Sequence, residues 1–356
     1  MKNKPRKIVW GKGADMNAWA AMRSEMEGIN DDEIVRIGAS DVSVITGSNP
    51  WKSKQRLFYH LINYHHSFFI TETTLAGHLN EPTTIKRYEA YVHNDEQESL
   101  NNSLNGVSVR KASKANYFLV NDAYPNSFVS LDYTTKGVTY SPITGELYPK
   151  NMPIELKHTN KQYYIKWTNG CARQYMEQIQ YQMLIANVDK ALLLVMIDGV
   201  NFKIKEIDAD PEMQKEILRQ VNEFAEKVKV GKMALKGMKE AEAEGDIETA
   251  QAFYAILESV TPEPVGTEDN LELMQEIYAE PIDSDVNIKV ADENDDFNMA
   301  QYLKCIKLAN KIEEYKTLCR VKLLESCGSF EGIKGTTNSM TNRRATQFKK
   351  AYFQIK

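Results

Sequence analysis

Asp132 closes the apolar run Phe128-Val129-Ser130-Leu131, and farther along the chain Glu155 and Lys157 flank Leu156 in Pro-Ile-Glu-Leu-Lys. Alternate residues of a strand share a face, so Glu155 and Lys157 point one way while Leu156 points into a core. If strands 128–133 and 153–158 are neighbours, Asp132 and Glu155 meet at one sheet edge. Two carboxylates side by side repel, and a hard divalent cation such as Mg²⁺, which takes oxygen ligands, resolves that conflict. Lys157 would then orient or deprotonate a metal-bound water and offset charge that develops on a phosphorane-like transition state. Taken singly, an Asp at a strand end or a Glu-x-Lys on a strand is more often a solvated surface pair. The apolar Ile154 and Leu156 make this one a buried-strand pattern.

The elements that must hold these groups are legible in the spacing. Residues 13–29 have helical periodicity and carry Trp19 and Arg23 four apart, on one face. In the stretch 37–51, Ser40 and Asp41 are placed to cap a short helix, Gly47 to end it, and Asn49-Pro50 to turn the chain. Ser53 caps the next helix, and a third covers about 75–92. The period then changes to two: 107–110, 117–122, 126–135 and 152–158 read as strands separated by Asn, Pro and Gly. A helix over 170–187, an apolar strand 191–197 and an edge-like strand 202–208 follow. Ile217, Val221, Phe224 and Val228 then repeat at helical spacing and close the body. This order predicts an α/β fold, a mixed central β-sheet flanked by helices.

The 356 residues, 42% hydrophobic and 26% charged, suit a globular chain of one large domain with an appendage, or two ordinary domains. No apolar run reaches the length of a bilayer span, and the basic start Met1–Trp10 lacks the apolar stretch of a secretory signal, so no membrane partner is expected. Cys171, Cys305, Cys319 and Cys327 form no Cys-x-x-Cys pair, which argues against a zinc or iron–sulfur site and for a reducing compartment. Cys305 and Cys319 fall on one apolar helical stripe and read as buried thiols.

The net charge of −5 hides an asymmetry. Residues 240–296 hold 18 Asp and Glu against the single base Lys289, and the remainder carries 43 Lys and Arg against 31 acids. A basic body able to attract a polyanion is joined to an acidic segment. Its sequence TPEPVGTEDN (261–270) reads as a linker. Beyond it, Cys305, Leu308, Ile312, Tyr315, Cys319 and Leu323 mark one face of a long helix, and the tail from Glu331 carries six bases against one acid. The expected organisation is therefore a catalytic domain over 1–236, an acidic helix and linker over 237–297, and a long helix with a basic tail over 298–356. In that tail Phe348, Tyr352 and Phe353 either stack on bases while lysines and arginines take phosphates, or form a strand that pairs back onto the helix.

Together these residues resemble a known family. Asp132 with Glu155-Leu156-Lys157 is similar to the PD-(D/E)xK nuclease motif. Gly77-His78-Leu79-Asn80-Glu81 resembles the Gly-x-x-x-Glu helix of the lambda-exonuclease, or YqaJ-like viral recombinase, family. Tyr175 and Gln178 resemble its Tyr-x-x-Gln motif, Ala39-Ser40-Asp41 its N-terminal segment, and Trp19 and Arg23 the Trp and Arg that precede it. The five signals stand in family order from Trp19 to Met183, and 270–356 resembles the C-terminal extension of phage and prophage members. Tyr133 departs from the pattern, since the family has Gly after the catalytic Asp; it would narrow the approach or redirect the strand.

The resemblance implies a restriction-endonuclease-like core with an α-helical C-terminal extension. It further implies a Mg²⁺-dependent exonuclease, with Mn²⁺ as a substitute, that degrades duplex DNA from 5′ ends and exposes single strands for recombination. Glu81, Asp132, Glu155 and the Leu156 carbonyl would be metal ligands and Lys157 the catalytic lysine. Gln178 and Tyr175 would lie beside the scissile phosphate, and Arg23 and Ser40 would take a terminal 5′ phosphate. The implied setting is the cytoplasm of a bacterial or phage-infected cell. The implied partners are duplex ends, a single-strand annealing protein, and further copies of the chain in a ring-shaped homo-oligomer.

Other functions remain in play from the sequence. One is a structure-selective or restriction-like endonuclease of the same fold, and another is a non-catalytic DNA-binding or assembly module. His60, His65, His66 and His78 sit among aromatic neighbours and read as packing residues. Ser127, Ser130 and His158 lack a nucleophile elbow, and no GxxxxGK[ST] stretch provides an ATP motor. The acidic segment shields the basic body, docks a partner, or is a solvated linker.

Overall fold

The apolar runs form strands largely where their spacing places them, but the strands divide between two sheets. The computed structural model describes residues 4–9, 16–65, 72–137, 140–148, 151–278, 293–327, 332–334, 339–343 and 352–355. The chain separates into two units, Met1–Ala279 and Glu280–Lys356. The first unit opens with β1 (Arg6–Val9), α1 (Met16–Glu27), β2 (Ile37–Gly38), a 3₁₀ turn at Ala39–Asp41, α2 (Val42–Thr46), α3 (Lys54–Leu61), α4 (Glu72–Ala90) and α5 (Glu96–Asn105). Next come β3 (Ala112–Lys114), β4 (Tyr117–Val120), β5 (Ser127–Ser130), β6 (Tyr133–Thr135), β7 (Pro153–Thr159), α6 (Lys161–Tyr164) and α7 (Arg173–Ala186). It ends with β8 (Lys190–Ile197), β9 (Asn201–Asp208), α8 (Pro211–Glu244), α9 (Ile247–Val260) and α10 (Glu268–Ile277).

One sheet has the order β1-β4-β5-β2 and the other β3-β6-β7-β8-β9. The only parallel pairs in them are β2 with β5 and β7 with β8. Residues 126–135, read as one strand, are two. Ser130 pairs with Phe118 in the first sheet, whereas Tyr133 pairs with Lys114 and Ile154 in the second. The hairpin of residues 112–135 thus breaks in both arms, at Ala115 and at Leu131-Asp132, and each half joins a different sheet. The Ala115 N–H donates to the Asp132 carbonyl at 3.1 Å, so one backbone bond spans the break. Tyr133, the departure from the family glycine, starts β6 and is buried with Ile85, Tyr88 and Ile154.

Helices cover both faces of the second sheet. Ile85 and Tyr88 of α4 pack with Leu156, Leu192 and Leu194, while Ile179 and Met183 of α7 pack with Leu193 and Val195. Strand β8 is apolar on both faces for that reason. The opposite side of α7 joins α2, α3 and α8 in the largest core cluster, through Tyr181, Ile185, Phe58 and Val221.

Several local expectations change. The stretch 107–110 is irregular; in front of it lies α5, whose ten residues include none that is buried, so its polar sequence offered no apolar stripe to read. Ser40 and Asp41 do not cap α2 with their side chains; Asp41 instead holds Arg23 and Lys52. Gly47 does end the helix, at φ 82°. His60 pairs with Glu27 and His65 with Glu276, and His66 lies outside the described residues.

The acidic segment is not a solvated linker over 247–277. Leu257 and Leu273 are buried, and α10 is tied to α3 because Arg56 pairs with Asp269 and Glu276, each at 2.7 Å. Helix α8 runs unbroken through residues 236 and 237, where a domain boundary was expected, and the first unit extends to Ala279. In the second unit α11 (Glu293–Cys327) and the strands β10 (Gly332–Lys334), β11 (Ser339–Arg343) and β12 (Tyr352–Ile355) form, the strands pairing antiparallel with one another. The stripe of α11 is exposed there: Cys305, Leu308, Ile312 and Tyr315 face solvent rather than a core. Phe348, Lys349, Lys350 and Lys356 lie outside the described residues.

Helix α8 also secures the loop after α1. The buried Lys232 ammonium donates to the carbonyls of Gly28, Asp31 and Ile34. Gly28 has φ +74°, and a Cβ there would lie 2.1 Å from the Ile34 oxygen. Gly28→Ala should therefore cost about 2–4 kcal/mol of stability, from the strained φ and the backbone clash together. A lowered urea midpoint at unchanged slope is the expected observation.

Candidate active site

Strand β7 carries Glu155 and Lys157 on the face toward α7, and Leu156 on the opposite face toward α4. Glu155 is 2% exposed and fully engaged. Its Oε1 accepts from Lys157 Nζ and, at 2.8 Å, from Gln178 Nε2; its Oε2 accepts from Gln182 Nε2 at 2.7 Å. Gln178 and Gln182 are four apart on α7 and so reach the same target. Gln182 was missed in the sequence, although its spacing from Gln178 was the available signal. Gln180, on another face, instead bonds the backbone at Asp208 and Asp210.

Asp132 sits in the break between β5 and β6, and its Oδ2 accepts the Leu156 N–H at 2.9 Å. This bond fits the end of the β6–β7 ladder, which stops at Tyr133 and Ile154. Glu81, on α4 just ahead of Pro82, bonds His78 Nδ1 at 2.8 Å and Lys114 Nζ of β3 at 3.0 Å. Lys114 has no motif around it; only the fold brings it to Glu81. Glu81, Asp132, Leu156, Lys157 and Tyr175 line one open cavity of about 760 Å³. Its rim adds Trp51, Tyr163 and His158, the last with Nε2 3.2 Å from Thr84 Oγ1.

Arg23 and Ser40 do come together, with Arg23 Nη1 3.2 Å from Ser40 Oγ. The rest of the guanidinium is spent on Glu27 at 2.7 Å and Asp41 at 2.5 Å, and these carboxylates hold its pKa above the ordinary value although burial opposes them. Ser40 is exposed.

The donor chemistry suits a hard divalent cation: the polar atoms of Asp132, Glu155 and Glu81 are carboxylate oxygens, and backbone carbonyls are at hand on β7. Among the described residues, however, no three His, Cys, Asp or Glu side chains converge as a ready ligand set. The ammonium groups of Lys157 and Lys114 stand beside Glu155 and Glu81 instead.

Residues 18–189 match the model of the YqaJ-like viral recombinase domain. No curated protein matches the chain. Among solved structures, the alkaline exonuclease LHK-Exo from Laribacter hongkongensis is similar, at 18% identity and a TM-score of 0.43, with 58% of this chain and 94% of that one covered. A phage-related exonuclease from Haemophilus somnus is similar at 14% identity and a TM-score of 0.36, with 57% and 96% covered. Among the described residues no helix is long and apolar enough to cross a membrane.

The electrostatics of the cluster are unbalanced. Burial, and then the neighbouring charge of Glu155, push the Asp132 carboxyl up to about 8, while Lys157 and the Leu156 N–H only partly offset them. Burial also disfavours the charge on Lys157, but Glu155 and Asp132 outweigh it and hold its pKa above the usual lysine value. Lys157 is thus held as an ammonium beside the two carboxylates. The folded chain keeps the Asp132 proton up to about pH 8, whereas the unfolded chain releases it near 3.9. Ionisation therefore favours the unfolded state increasingly as pH rises through that window. Without divalent cations, Asp132→Asn should melt close to the parent protein at about pH 4. By about pH 8 it should melt at a clearly higher temperature than the parent. Calorimetry in EDTA across that range measures the difference.

Proposed function

We propose, from the match of residues 18–189 to the YqaJ-like viral recombinase domain, that the chain is a Mg²⁺-dependent exonuclease acting on duplex DNA from its ends. The observation that carries the reading is that Asp132 and Lys157 line one open cavity while the buried Glu155 behind them bonds Lys157 and is held by Gln178 and Gln182 of a single helix. When bound, Mg²⁺ would be held by Asp132, Glu155 and Glu81 with the Leu156 carbonyl, and would supply Lewis-acid stabilisation of charge on the phosphate.

The chain's own groups do the rest. Lys157, kept protonated, places a positive charge where a phosphodiester gains negative charge. Gln178 directs an amide at the Glu155 carboxylate and so fixes its rotamer. Tyr175 lies under the Lys157 ammonium, its ring centroid 4.8 Å from Nζ, and restricts where that ammonium points. Arg23 and Ser40 form the candidate site for a terminal 5′ phosphate; Ser40 is the exposed member and Arg23 is already oriented by Glu27 and Asp41. An annealing protein that coats the exposed strand, and a ring of several copies enclosing the duplex, complete the proposed setting.

Linear duplex with a 5′ phosphate should be degraded with Mg²⁺ and left intact in EDTA, one strand disappearing before the other. Closed circular duplex should survive, and its cleavage would replace the end-dependent reading with an endonuclease. Glu155→Ala should lower the rate on the order of 1,000-fold, since several kcal/mol of charge stabilisation are lost with the ligand and with the partner of Lys157. Unchanged Mg²⁺-dependent degradation by that variant would place the chemistry elsewhere.

A further inference from the structure

Trp51 stands at the mouth of the same cavity as Asp132 and Lys157 and is 54% exposed. Leaving that much indole in water is unfavourable in proportion to its apolar area. The exposure does not come from a loose loop. Gly47 ends α2 in the left-handed region, and Asn49 Oδ1 accepts the N–H groups of Trp51 and Lys52 at 2.9 and 3.0 Å. The Asn49 amide donates to Ser43 Oγ at 3.1 Å, and Pro50 sets its own φ. On either side of the loop, Glu177 takes the hydroxyls of Thr46 and Ser48, each at 2.5 Å, and Asp269 takes the Ser53 N–H at 2.8 Å. The chain therefore commits a helix end, an Asx turn and three long-range hydrogen bonds to presenting one aromatic ring.

Two aromatic rings lie against that indole. Trp51 is stacked near Tyr175, with centroids 6.5 Å apart and planes at 27°, and tilted against Tyr163 at 5.9 Å. Tyr163 and Tyr175 rest in turn on Trp167. Tyr175 is the same ring that carries the Lys157 ammonium. A series therefore runs from the charged lysine through Tyr175 to Trp51 and out to water. A ligand matching it has a phosphate at one end and a flat π-face at the other, which is a nucleotide. A cavity of about 760 Å³ is within the range of small-molecule sites, about 300–1,000 Å³, and is large enough for a nucleotide.

Building on the nuclease reading above, we infer that Trp51 is a stacking platform for an unpaired nucleobase of the strand held in the cleft, and so positions that strand on the catalytic cluster. Stacking is indifferent to base identity, because every base has a π-face.

The test uses the full chain and two linear 5′-phosphorylated duplexes, one natural and one with abasic nucleotides at the end of the strand being cut. The parent enzyme should lose about 5- to 150-fold in kcat/KM on the abasic substrate, the range of one base stack. Trp51→Ala should lose a similar factor on the natural substrate and little more on the abasic one, while Trp51→Phe keeps most of the activity. A merely structural Trp51 would give the alanine variant the same loss on both substrates, and that result overturns the inference. If Trp51→Ala does not fold, the parent decides alone, since equal rates on the two duplexes sink the platform. A parent inert on both with Mg²⁺ removes the nuclease reading itself, a different result from an active enzyme blind to the missing bases.

Discussion

The structure turns on bringing Asp132 and Glu155 together in a place with little water. Two carboxylates so placed repel, and their repulsion is met partly by Lys157, partly by amides of Gln178 and Gln182, and partly by the proton that Asp132 retains. Almost every nearby feature follows from that conflict. Helix α7 must present two glutamines at one spacing, β7 must alternate charged and apolar residues, and β6 must stop short so that Leu156 can donate to Asp132. A site stabilised for its own sake would not be built this way. Crowded acids answered by incomplete compensation are the arrangement expected where a cation is to be received.

Around the conflict the fold is conventional. Helices α4 and α7 sandwich the second sheet with buried aliphatic side chains, and the same α7 turns its other side to α2, α3 and α8. Several groups in the cavity therefore stand on elements with rigid cores behind them: Glu81 on α4, Lys157 on β7, Tyr175 on α7. Trp51 comes from a loop, and hydrogen bonds of Asn49, Glu177 and Asp269 hold that loop. Side chains held this way lose little freedom when a ligand arrives.

Much of this was legible beforehand because it is written in short-range spacing. The alternation at 154–157 placed Glu155 and Lys157 on one face, the 3.6-residue period found α7 and α8, and Arg23 and Ser40 meet as the N-terminal signals implied. The split of 126–135 was not legible, since apolar residues there face cores on both sides and leave no change of period at the break. Helix α5 was invisible because it buries nothing. The segment 247–277 was read by its charge, which concealed Leu257 and Leu273. Lys114 beside Glu81, and Trp51 beside Tyr175, join residues far apart in the chain, and no local pattern announces such pairs.

The broken hairpin carries a consequence for how the body comes apart. Asp132 occupies one of the two stretches of backbone that pass between the sheets in this hairpin, between a residue paired with Phe118 and a residue paired with Ile154. Neither sheet can fray at that seam without dragging the carboxylate from the Leu156 amide. The seam thus acts as a fuse: melting that reaches it from either sheet disarms the cleft.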